Sequence, residues 1–219
     1  MSPRRSARRG AAGVLAAVNA QLDRPISTPL DSEAIARTAF LELDQLPGAD
    51  LAPLSELSNL TELRLHGEVV IDLRPLSTLT ALQRLDLRWS PVRDVSPLAD
   101  LNGLTHLYLS GTEVSDVSPL ASLTGLEFLD LRWTPLRDVD PLGGLSGLTC
   151  LKLAETEVVD VAALAGLTGL TSLDLEGTSV TDVSPLAGLP HLGMLEISGS
   201  HVTDVSSLHS MANLTIING

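Results

Sequence analysis

The chain is expected to fold as an α/β solenoid: short coils stacked into one array, with a parallel β-sheet along one face and short helical segments along the other. Three observations lead there. The segment Asp94 to Ser115 recurs with a period of 22, its copies opening at Asp72, Asp94, Asp116, Asp138, Asp160, Asp182 and, cut short, Asp204, with an earlier one at Asp50. A fixed period in this range marks a repeat array, and repeat arrays present surfaces rather than one particular chemistry. Within each copy apolar residues hold equivalent positions, as Leu104, Leu107, Leu109, Val114, Leu120, Leu123 and Leu126 do in one of them. Aromatic residues make up only 2% of the chain although hydrophobic residues make up 44%, which suits columns of leucine better than a core built on large rings.

In chain order, residues 1–10 hold four arginines and no acid, and are expected to form a disordered basic tail. Residues 11–40 are expected to form a helical N-terminal cap, which an array needs to cover its first layer of core. There Thr28-Pro29-Leu30-Asp31 reads as a capping box with Pro at the first helical position, and Ala34 to Thr38 as the helix that follows. The first twenty residues also carry features of an export signal: arginines, an Ala-rich run interrupted by Gly13, and Val18-Asn19-Ala20 resembling a cleavage site. The expected location is the cytoplasm, with secretion or the cell surface as the alternative if residues 1–20 direct export.

The array is expected over residues 41–219. In the copy that starts at Leu104, Leu107 and Leu109 alternate with His106, Tyr108 and Ser110, which predicts a short strand with one buried face. Gly111-Thr112 turns the chain and Val114 points back inside. Ser118-Pro119 then reads as a helix start, Ser as the cap and Pro in the first turn. Leu120 and Leu123, three apart, predict about two turns of 3-10 or α-helix with the apolar side toward the strands. One coil cannot bury its leucines alone; stacked coils bury them in a column, with strands about 4.8 Å apart. A degenerate copy, Leu41-Glu42-Leu43, extends the array backward. At the other end the chain stops at Ile216-Ile217-Asn218-Gly219, inside a strand, and an open edge invites edge-to-edge self-association.

The pattern LxxLxLxxTxVxDVxPLxxLxxL over residues 50–219 closely resembles the leucine-rich repeat of the bacterial, internalin-like type. The resemblance implies a leucine-rich repeat solenoid whose strands line a concave face, where such proteins usually bind. It also implies a ladder at the turn, usually of Asn, that bonds neighbouring backbone. Here the position is Ser90, Thr112, Thr134, Thr156, Thr178 or Ser200, and a hydroxyl can make fewer such bonds than an amide.

Function is sought where the repeat is broken. LDLRWSPVRDV at 85–95 and LDLRWTPLRDV at 129–139 lie 44 residues apart and imply a duplicated two-repeat unit. Each places Arg on the exposed face and Trp at the turn, where other copies have Gly or Glu. Trp89 and Trp133 are expected about 10 Å apart, two strand spacings. Tyr108 and Phe128 fall between them, beside Arg84, Arg88 and Arg132. The expected partner-binding set is Arg84, Arg88, Trp89, His106, Tyr108, Phe128, Asp130, Arg132 and Trp133, since Trp, Tyr and Arg are enriched where partners bind tightly. The competing reading is that each Trp covers its own turn over the stem of its own Arg.

Other function classes find little support. The net charge is −13, so residues 11–219 carry −17, the wrong sign for phosphate-backbone binding. No run approaches the ~20 apolar residues of a membrane span. Cys150 is the single cysteine. The recurring aspartates offer one carboxylate per turn where Ca²⁺ needs six to eight oxygens; they are expected to accept backbone N–H groups in their turns. No phosphate loop, HExxH or nucleophile elbow is present, and His106 and Cys150, about 10 Å apart, are too distant to act as a pair. The expected function is therefore a non-catalytic scaffold without cofactor, binding a protein or peptide on its concave face. The alternatives are an exported adhesin or glycan binder and an acidic inhibitor of a basic enzyme.

Overall fold

The computed structural model of the chain describes residues 13–44, 51–66 and 72–219. The expected tail at 1–10, the first two residues of the cap and Asp50 lie outside the described residues.

Among the described residues, nine strands form one open parallel sheet in sequence order. They are β1 (Phe40–Asp44), β2 (Glu62–His66), β3 (Arg84–Asp86), β4 (His106–Tyr108), β5 (Phe128–Asp130), β6 (Cys150–Lys152), β7 (Ser172–Asp174), β8 (Met194–Glu196) and β9 (Thr215–Ile217). The register is the sequence period made visible: Leu41, Leu63, Leu85, Leu107, Leu129, Leu151, Leu173 and Leu195 stand side by side. The last step departs from it. Leu195 pairs with Ile216, one residue short of the period, because a single residue separates Leu214 from Ile216 where two separate Leu192 from Leu195.

Each repeat contributes the same buried set. Leu104, Leu107, Leu109, Val114, Val117, Leu120, Leu123 and Leu126 are all fully or almost fully buried, and their equivalents join them in one continuous core. Burying a side chain of this size stabilises by about 1.5–3 kcal/mol, so the leucine columns hold the coil together. The return segments are single short 3-10 helices, among them Ser96–Leu98, Ser118–Leu120, Asp140–Gly144 and Ser184–Gly188. They are shorter than the two turns expected. Ser is also not their cap: the residue before it, such as Val117, holds that position and no side chain of a cap residue bonds there. Aspartate does this work instead. Asp94, Asp116, Asp138, Asp160, Asp182 and Asp204 each accept the backbone N–H two residues on, at 2.8 Å. A carboxylate reaches that amide more directly than a serine already inside the turn.

These turns make stability depend on pH. Hydrogen bonding from Ser96, Ser118 and Ser184 holds Asp94, Asp116 and Asp182 below the usual carboxylate range, and the Ser206 amide does the same for Asp204. Groups depressed on folding add stability that is full above their unfolded value, near 3.9, and lost as pH falls through the folded value. Thermal midpoints are expected to be level above about pH 5 and to drop progressively below about pH 4. A midpoint unchanged at pH 3 would contradict the assignment.

The turn hydroxyls differ from the expected ladder. Thr112, Thr134, Thr156 and Thr178 donate to Leu109, Leu131, Leu153 and Leu175 at 2.6–2.7 Å, inside their own turns. A hydroxyl is too short to reach the next coil from there. A second set of hydroxyls does link coils: Thr61, Thr105, Thr149 and Thr171 donate to the carbonyls of Ala39, Gln83, Glu127 and Thr149 in the preceding coil.

Ahead of β1 lie two helices, α1 (residues 13–21) and α2 (Ser32–Arg37). Val14 and Val18 of α1 are fully buried and belong to the core. Buried Asn19 donates to Thr28 O at 2.7 Å and ties α1 to the loop before α2. The cap of α2 is Asp31 rather than Thr28: its Oδ1 accepts Ala34 N–H at 2.8 Å and Arg24 braces the carboxylate at 2.8 Å. Thr28 is instead committed to a turn, its N–H donating to Pro25 O at 2.9 Å.

Candidate partner-binding surface

The sheet face across β3 to β6 is where residues that break the repeat meet. Parallel register aligns Arg84, His106, Phe128 and Cys150 in one row and Asp86, Tyr108, Asp130 and Lys152 in the next. Tyr108 and Phe128 are neighbours, ring centroids 4.9 Å apart, and His106 stacks on Phe128 at 6.0 Å. Cations lie over these rings. Arg84 sits 4.8 Å and Arg88 5.5 Å from the Tyr108 centroid, and Arg84 also donates to the Tyr108 hydroxyl. Lys152 lies 5.6 Å from the Phe128 centroid. Burial pushes the Tyr108 phenol up, so it stays protonated. Such cation–ring contacts contribute about 0.5–1 kcal/mol each where exposed and hold the long side chains in one arrangement.

Two carboxylates organise the arginines. Asp86 and Asp130 are buried, 4% and 1% exposed. Asp130 accepts Arg132 Nε at 2.9 Å, a terminal nitrogen at 2.8 Å and the Arg132 amide at 3.2 Å; Asp86 grips Arg88 the same way. These are two-point, charge-assisted forks, and each carboxylate raises its arginine's pKa further. Asp130 is therefore covered on that face: it lies beneath Arg132 and sets where that guanidinium points. Ser110, expected on the exposed face, is buried, and so is Ala154; both are short side chains in the same row as Arg88 and Arg132.

The tryptophans stand one residue past the arginines, in the left-handed region: φ is 61° at Trp89 and 55° at Trp133. The same turn holds Gly111 at 69°, Gly177 at 64° and Gly199 at 67°. A side chain there costs about 1 kcal/mol; Glu155 also takes this conformation, at φ 58°, and at Trp89 and Trp133 it presents indoles that are 59% and 48% exposed. Their ring centroids are 5.5 Å apart and the planes 26° apart, not the 10 Å expected from strand spacing. The rings lean toward each other across the intervening turn and stack. Arg132 packs over Trp133 at 5.1 Å, whereas Arg88 turns to Tyr108. An open depression of about 310 Å³, lined by Trp89, Ser90, Pro91, Gly111 and Glu113, borders the pair.

The residues singled out from sequence fall into two neighbouring groups, Trp89, Trp133 and Arg132 in one and Arg84, Arg88, His106, Tyr108 and Phe128 in the other, with Asp130 beneath Arg132. Three contributors escaped that reading. Asp86 duplicates Asp130, and the repeated LDLRW held the signal. Lys152 becomes relevant only through the register that brings it to Phe128. Gly111 shares a turn position with both tryptophans, a contrast visible once the copies are aligned. The two-repeat unit also has its own ties: Arg93 pairs with Glu113 and Arg137 with Glu157, each bridging one coil to the next.

Farther along, Asp174 keeps the amide bond of the series, accepting Glu176 N–H at 3.1 Å, but Glu176 replaces the arginine. Burial pushes the Asp174 carboxyl up. Burial likewise raises the Cys150 thiol. Among the described residues, no three His, Cys, Asp or Glu side chains converge as metal ligands.

An open parallel sheet built of 22-residue coils, with a ringed and charged row of side chains on its strands, defines a leucine-rich repeat protein. Internalin C2 from Listeria monocytogenes superposes with a TM-score of 0.90 at 30% identity, covering 94% of this chain and 92% of that one. The chain belongs to the internalin-like leucine-rich repeat family. Two more distant structures share the fold. A second internalin of the same bacterium (inlF) has a TM-score of 0.63 at 24% identity, over 95% of this chain and 75% of its own. A leucine-rich repeat protein from Leptospira interrogans has a TM-score of 0.71 at 19% identity, over 85% of this chain and 55% of its own. No protein-family model matches the chain, and no curated protein does. No helix among the described residues is long and apolar enough to cross a membrane.

Proposed function

We propose that the protein is a non-catalytic scaffold that captures a protein or peptide partner on the β3–β6 stretch of its concave face. Arg84, Arg88, Trp89, His106, Tyr108, Phe128, Arg132 and Trp133 form the contact. The observation that carries this reading is the pair of half-exposed indoles held at left-handed turns. The turn does not need an indole there, since the equivalent turns close with Gly111, Gly177 or Gly199, or with Glu155 at φ 58°. Non-glycine residues at such φ values persist where the position serves function. The forks and cation–ring contacts fix the side chains before a partner arrives, so little conformational entropy is lost on binding.

The test is affinity capture from native cell extract by the full chain and by its Trp89→Ala/Trp133→Ala variant. Replacement of the pair is expected to weaken partner capture at least tenfold, about 1.4 kcal/mol, with the thermal midpoint nearly unchanged, because the indoles are about half exposed and Ala keeps the same Cβ at the left-handed turn. Undiminished capture would remove the patch from consideration.

Val14, Val18 and Asn19 are buried. Cleavage after Ala20 would strip these residues from the folded body, which supports retention of α1 in the working protein.

A further inference from the structure

We infer that Gly111 is the positioning residue that makes Trp89 and Trp133 one stacked anchor instead of two separate side chains. This rests on the reading of the tryptophan pair as the partner anchor and adds what builds it. Trp89 and Trp133 belong to coils two strand spacings apart, about 10 Å, yet their ring centroids are 5.5 Å apart. The rings close that distance by leaning over the coil between them, and Gly111 is the residue at its turn. A Cβ on Gly111 would lie 2.2 Å from Trp89 Cε3, 2.5 Å from Cζ3 and 2.8 Å from Cδ2. Trp89 therefore lies against the bare Cα of Gly111, where the smallest side chain would lift it off.

Two demands for glycine act at this position, and the molecule separates them. Gly111 has φ of +69°, which alone disfavours a side chain. Gly199 occupies the same turn with φ of +67°, but a Cβ there would meet nothing closer than Gly177 N at 3.6 Å. At Gly199 only the backbone calls for glycine; at Gly111 the indole does as well. The device is used again with other chemistry: Glu155, at φ 58°, leans over Gly177, whose Cβ would fall 2.8 Å from the Glu155 carboxylate carbon. In both places a bare turn gives room to the large side chain of the preceding coil. At Gly111 the product is one continuous aromatic surface for a flat apolar group of the partner, rigid before binding.

The chain has two tryptophans, so the exciton couplet that stacked indoles produce in circular dichroism reads this pair alone. Trp89→Phe, which leaves one indole, sets the baseline. Gly111→Ala is expected to lose the couplet and at least tenfold of partner capture, while its thermal midpoint shifts no more than that of Gly199→Ala. Gly199→Ala is expected to keep both couplet and capture. A couplet that survives in Gly111→Ala, or that disappears equally in Gly199→Ala, overturns the inference. Loss of the couplet in Gly111→Ala with undiminished capture would uphold the positioning role and instead refute the tryptophan pair as anchor.

Discussion

A chain starting at Gln21 is expected to be about 3–6 kcal/mol less stable than the full chain, because two fully buried valines leave with α1. Val14 and Val18 lie in the same core as Leu41 and Leu43 of β1. Without them the first leucine layer has one face in water, the situation that terminal caps of repeat arrays prevent. The loss does not stop at apolar area. Asn19 donates to Thr28 O and Ile26 O, so the loop that presents Asp31 to α2 loses its brace as well. Denaturant unfolding of both chains, fitted with a common m-value, measures the difference. Since coils stack on nearest neighbours, unfolding of the truncated chain is expected to start at β1. A difference below about 0.5 kcal/mol would mean that α1 packs without stabilising.

The same helix illustrates what can be read from a single sequence and what cannot. Columns of leucine, Val114 turning inward and the aspartates in their turns follow from a period that repeats each environment many times. The cap occurs once, so its geometry had no copies to be averaged against. Thr28 and Asp31 both fit a capping motif, and the choice between them depends on Arg24 reaching Asp31 and on Thr28 entering a turn with Pro25. For the partner surface, the period identifies which residues break the pattern but not how far they lean. Strand spacing alone separates Trp89 from Trp133; side chains of two χ angles, with Gly111 between them, bring the rings together. Asp130 is covered for a related reason. Alternation puts it on the exposed face, and only the length of Arg132, folding back two residues, covers it.

That cover predicts the second large effect. Asp130→Ala is expected to destabilise the protein by about 2 kcal/mol, less than the 3–5 kcal/mol of a wholly buried pair because Arg132 can swing into water. Its side chain is 27% exposed already, so the guanidinium has an escape that the carboxylate, at 2%, lacks. Released from its fork, Arg132 would also leave the face of Trp133, and the tryptophan emission is expected to change with it. Asp174 offers the converse within the same molecule. It holds the Glu176 amide at 3.1 Å, as Asp86 and Asp130 hold the amides of Arg88 and Arg132 at 3.1 and 3.2 Å, but has a glutamate where they have a guanidinium. Glu176→Arg rebuilds the fork, removes a like charge and draws down a carboxyl that burial holds up. A gain of about 1 kcal/mol is expected, limited by solvent screening at a half-exposed site. The two variants share one cause with opposite signs. If Asp130→Ala were neutral while Glu176→Arg stabilised, long-range charge balance on this acidic chain, not the fork, would be the source of the effect.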